Sequence, residues 1–152
     1  MRTITFQNRN GQGITMAADI HTPADFDAAK RYPAIVIAHP GGGVKEQAAG
    51  LYAAKLAEQG FVAVAFDASY QGASTGEPRQ LENPYIRTED VSAVIDHLTT
   101  LPYIDADRIA AMGVCAGGGY AANAAIKDQQ FKDSLVKLGA EAVTPDRATP
   151  ES

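Results

Sequence analysis

Residues 110–125 read AAMGVCAGGGYAANAA and set the chain's single cysteine, Cys115, between an apolar run and a cluster of glycines. The spacing Gly113-x-Cys115-x-Gly117 suits a nucleophile carried on a sharp strand-to-helix corner, with a thiol where a hydroxyl is more frequent. Such a corner is strained, and glycines on either side leave space where side chains would clash. A helix that begins just after the corner aims backbone N–H groups and a positive dipole end at the same spot. Those donors can hold an oxyanion, and they favour thiolate over thiol. A blander reading stays open: a small buried cysteine, with glycines that merely allow close helix packing. Two other glycine motifs fail. A phosphate-binding P-loop counted from Gly113 needs lysine at 119, which is Gly119, and a dinucleotide fingerprint needs glycine where Cys115 stands.

A second glycine cluster, HPGGG at 39–43, follows the apolar run AIVIAH. Alone it reads as a turn that could bind phosphate at a helix N-terminus, although nothing nearby marks a nucleotide. The three histidines, His21, His39 and His97, all precede Cys115. One cysteine excludes an internal disulfide and a thiol-rich zinc site.

These residues need a scaffold. Residues 2–8 alternate, RNGQG supplies turn chemistry, and ITMAADIH is extended, which predicts an antiparallel hairpin. The uninterrupted apolar runs at 34–39 and 61–67 predict strands covered on both faces. Between them a helix over 47–59 stops at Gly60. A loop over 68–85 is rich in glycine, proline and small polar residues. From Thr88 a helix is expected, with Glu89 and Asp90 at its positive end and Val91, Val94, Ile95, Leu98 and Leu101 at helical spacing. RIAAMGV, residues 108–114, predicts a third parallel strand, followed by a helix over 116–127. Alternating strands and helices specify an α/β fold with a mostly parallel sheet. Phe131, Leu135 and Leu138 suggest one further amphipathic helix over 129–142, and 143–152 reads as a flexible tail.

A chain of 152 residues is one domain, here 1–142, able to bury roughly 68–70% of its unfolded surface. Its 45% apolar and 20% charged residues are globular values. A net charge of −5, with scattered lysines and arginines, argues against nucleic acid or an anionic membrane as partner. No run reaches the ~18 apolar residues of a membrane span and the polar start is no signal peptide, so a cytoplasmic location is expected.

The segments YPAIVIAHPGGGVKEQAAGLYAAKLAEQGFVAVAFD, YQGASTGEPR and RTEDVSAVIDHLTTLPYIDADRIAAMGVCAGGGYAANAA together resemble the front half of an α/β-hydrolase. The likeness is to dienelactone-hydrolase-like and peptidase-like bacterial members, over about residues 1–127. It implies a three-layer α/β/α fold and a hydrolase of small ester or thioester-like substrates, with no metal or organic cofactor. By that resemblance Cys115 is the nucleophile, and the oxyanion hole is formed by the N–H of Ala116 with one from Gly41 or Gly42. His39, Asp107 and Arg108 are structural, and Asp67 orders a loop. The family places its triad acid and histidine on loops after later strands, and this sequence stops before them. The triad is therefore expected to be incomplete and the fold truncated. The strand over 108–114 is expected to be an exposed edge open to pairing in a homodimer. Two rival readings are a non-catalytic remnant of a longer hydrolase and a small module binding an anion or carboxylate.

Overall fold

The computed structural model describes residues 1–10 and 13–127. The expected helix over 129–142 and the expected tail lie outside the described residues. Five strands and three helices alternate: β1 (Arg2–Gln7), β2 (Thr15–His21), β3 (Tyr32–Ala38), α1 (Ala48–Glu58), β4 (Val62–Asp67), α2 (Pro84–Thr99), β5 (Ile104–Gly113) and α3 (Ala116–Lys127). They form one sheet in the order β1-β2-β4-β3-β5, antiparallel across β1, β2 and β4 and parallel across β4, β3 and β5.

The period-2 alternation of each strand sorts side chains between two cores. Val36, Val62, Val64 and Phe66 face α2 and α3 and pack with Val91, Val94, Leu98 and Ala124. Ile37, Ala63 and Ala65 face the other way and meet Ala49 and Ala53 of α1. This is the three-layer α/β/α arrangement the sequence implies.

Two boundaries differ from expectation by four residues. Helix α2 starts at Pro84 rather than Thr88, because Asn83 caps it: its side chain accepts from the N–H groups of Tyr85 and Ile86. Asparagine at the cap and proline at the first helical position are strong start signals. The earlier start puts Arg87 on the inward face, in spacing with Val91, Val94 and Leu98. Strand β5 begins at Ile104 rather than Arg108. It bulges where Tyr32 and Ala34 of β3 pair with Ile104 and Ile109, and it is exposed over 106–108. Among the described residues Arg108 pairs with Asp105, at 3.9 Å, and Asp107 is exposed.

The topology leaves a crevice. The chain leaves β3 for α1 on one face and β5 for α3 on the other. Adjacent parallel strands whose exits diverge open a gap at their carboxyl ends, where α/β folds bind ligands. Residues 39–43 line one side of this gap and Cys115 the other.

Candidate active site

Cys115 sits on the corner between β5 and α3 with φ +56°, a left-handed conformation that costs a non-glycine residue roughly 1–3 kcal/mol. Its thiol is free and exposed. The corner is pinned by three backbone bonds: Val114 N–H to Ala38 O at 3.1 Å, Gly117 N–H to Val114 O at 3.0 Å and Gly118 N–H to Cys115 O at 3.0 Å. The flanking glycines are sterically required. A Cβ on Gly113 would lie 2.0 Å from the carbonyl carbon of Gly117, and one on Gly117 would lie 2.4 Å from the carbonyl oxygen of Ala38.

The glycine loop approaches the same corner. A Cβ on Gly41 would stand 3.9 Å from Ala116 Cβ, so these two residues face one another across the crevice. Gly42 occupies the turn itself at φ +66°, with nothing within 4 Å of where its side chain would begin. Of the three residues expected to supply oxyanion donors, Gly41 and Ala116 are thus brought together, and Gly42 shapes the turn.

His39 is fully buried and its ring is committed. Nε2 accepts from Ala68 N–H at 3.1 Å, so the ring proton is on Nδ1, which donates to Pro40 O at 2.7 Å. Burial, and then the Arg87 charge, lower its pKa, which keeps the ring neutral. It stitches the glycine loop to the strand β4 exit. Asp67 does related work. Its Oδ1 accepts from Lys45 N–H at 2.8 Å and its Oδ2 from Ala73 N–H at 2.9 Å, with Lys45 Nζ at 3.2 Å from Oδ2. The buried Lys45 also pairs with Glu46. Burial pulls its ammonium down, but Glu46 and Asp67 outweigh that and raise it.

The other histidines lie elsewhere. His21 ends β2 opposite Ala63, at the start of β4 and so at the far rim of the sheet. His97 stacks on Phe6 of β1, ring centroids 4.3 Å apart. β1 and β5 are opposite edges, about 19 Å apart at ordinary strand spacing. Burial lowers the pKa of both rings.

Sequence reasoning missed a polar cluster beside the crevice. Arg87, 1% exposed, donates from Nη1 to both Glu82 oxygens at 2.8 and 3.0 Å and from Nη2 to His39 O at 2.7 Å. Its guanidinium lies 4.8 Å above the Tyr120 ring, and the Tyr120 hydroxyl donates to Glu82 Oε1 at 2.9 Å. One buried cation thus ties the glycine loop, the long loop and the elbow helix together. The Asn83–Pro84 start signal could have found it, by placing Arg87 one turn before Val91. Among the described residues no group of three or more His, Cys, Asp or Glu side chains converges as a metal site would require. No helix among them is long and apolar enough to cross a membrane.

With this geometry in place, comparison with known proteins is informative. A profile of the dienelactone hydrolase family matches residues 16–151. The uncharacterized protein YcjY of Escherichia coli (strain K12) is 65% identical over 129 residues, covering 85% of this chain and 42% of YcjY. The crystal structure of the hypothetical protein PA2218 from Pseudomonas aeruginosa superposes with a TM-score of 0.79 at 43% identity, over 96% of this chain and 48% of that one. The propionate-bound thermophilic esterase Est2 of Thermogutta terrifontis superposes with a TM-score of 0.61 at 25% identity, over 79% of this chain and 44% of that one. The chain therefore spans less than half the length of these relatives. A strained elbow facing a glycine loop across a parallel-sheet crevice, together with a profile match over most of its length, shows that the chain belongs to the dienelactone hydrolase family of the α/β-hydrolase fold.

Proposed function

We propose that this chain is a hydrolase-type acyl acceptor for ester or thioester-like carbonyls, with Cys115 as nucleophile. The observation that carries the reading is the exposed thiol at φ +56°, on a helix N-terminus and opposite the Gly41 loop. The thiolate attacks the carbonyl carbon and forms a C–S bond, while the carbonyl oxygen takes the negative charge. The N–H of Ala116 and one from the Gly41–Gly42 loop hold that oxygen. Collapse breaks the bond to the alcohol, which leaves with a proton from solvent, and a thioester remains on Cys115. Water then attacks the thioester, releasing the acid and regenerating the thiol.

The second half needs a base to activate water. Among the described residues His39 is locked in its tautomer, and His21 and His97 lie at the far rim and the far edge. A thiol tolerates such a lack better than a hydroxyl, because a few per cent is already thiolate at neutral pH. Acylation therefore outruns deacylation. With a p-nitrophenyl ester, this chain releases about one equivalent of p-nitrophenolate in a burst, followed by slow turnover. The Cys115→Ala variant shows no burst. Equal rates from both proteins would contradict the reading and favour a binding module.

A further inference from the structure

Glu82 is held at both of its carboxylate oxygens. Arg87 engages both of its oxygens and Tyr120 engages Oε1, yet 33% of the side chain stays open. A Cβ on Gly41 would lie 3.9 Å from Glu82 Oε1 and 3.9 Å from Ala116 Cβ, so the carboxylate stands on the rim of the crevice that holds Cys115. A carboxylate offers about four lone-pair directions. Arg87 takes two and Tyr120 one, which leaves an acceptor on the open side. The compensating charge of Arg87 is buried behind it, with the side chain 1% exposed. A ligand entering the crevice meets the negative end of this pair first.

We infer that Glu82 sets the charge preference of the crevice, admitting neutral and cationic acyl groups to Cys115 and turning away those that carry a carboxylate. This rests on the crevice being the acyl site and adds a substrate class to that reading. A like charge within a Debye length of the entry path, partly offset by the buried Arg87, is expected to lower approach by about fivefold.

Iodoacetamide and iodoacetate test this without requiring catalysis. They are nearly equal in size, differ by one negative charge, and alkylate the only thiol in the chain. The measured quantity is the neutral-to-anionic rate ratio of the folded protein divided by that of the chain in urea. The expected value is about five. It falls below two in Glu82→Gln and also in wild type at 1 M NaCl, where the Debye length is about 3 Å. It is unchanged in Glu58→Gln, an exposed α1 carboxylate paired with Lys55. A wild-type value near one, or a preference that survives either Glu82→Gln or high salt, overturns the inference. The salt arm decides the matter even if the variant folds poorly. If the charge preference appears but no ester acylates Cys115, the acyl-transfer reading fails and the filter stands. If esters acylate without the preference, the reverse holds.

Discussion

At the scale of single residues, the feature with the largest consequence is a cysteine in a conformation that glycine adopts freely. Its left-handed backbone costs stability, and the cost is kept where the side chain is exposed beside a helix N-terminus. Cys115→Gly should therefore raise unfolding stability in urea by about 1 kcal/mol while abolishing thiol reactivity. A fall in stability on that substitution would mean the thiol packs into the fold rather than serving the crevice. This corner was legible because its requirements are local: Gly113 and Gly117 are dictated by backbone atoms within a few residues or on the adjacent strand. The Asn83–Pro84 signal could have placed Arg87 on the inward face, but not its clamp on Glu82, since Glu82, Arg87 and Tyr120 meet only through tertiary packing.

Elements join through buried polar contacts, and the most consequential is Asp90 on α2. Its carboxylate accepts from Ser69 N–H at 2.8 Å, Ser69 Oγ at 2.6 Å and Asn8 Nδ2 at 2.9 Å, linking α2 to the exits of β1 and β4. Burial outweighs these bonds and the nearby Arg87 charge, pushing the carboxyl from 3.8 up to about 6. Raised in the folded state, it favours folding when protonated. Its contribution is complete below pH 4 and is lost as pH rises through 6. Measured against Asp90→Asn, wild-type stability should fall by roughly 2–3 kcal/mol between pH 4 and pH 7 in urea titrations. A pH-independent difference would contradict this assignment. The strands and α3 were readable from continuous apolar runs and glycine stops, as Gly60 at φ +93° illustrates. The start of α2 was missed because apolar periodicity begins a turn later than its Asn83 cap. The start of β5 was missed because its first turn of chain is polar and bulged.

For the molecule as a whole, the described residues bring the elbow and the glycine loop to one rim of the sheet and leave the outer edge of β5 unpaired. Among the described residues β5 pairs only with β3, and its outer flank borders a groove of about 620 Å³ lined by Ile95, Ile109, Ala111 and Ala124 and also by Ser92, Asp96 and Thr99. An unpaired edge strand invites pairing with another chain. Light scattering at high micromolar concentration should show self-association that Ala110→Lys, on the exposed part of β5, reduces. A clean wild-type monomer would count against it. The α/β/α class and the crevice follow from the order of strands and helices, which the sequence displays openly. A base for the proposed deacylation does not, because His39 and His97 are held by packing and His21 lies at the far rim, away from the elbow.

The central claim is covalent, so the most direct measurement is the mass of the protein after brief exposure to a p-nitrophenyl ester. One acyl group on the peptide containing Cys115, released by hydroxylamine and absent from Cys115→Ala, is the predicted result. Unmodified Cys115 alongside ester hydrolysis equal to that of the variant would contradict it.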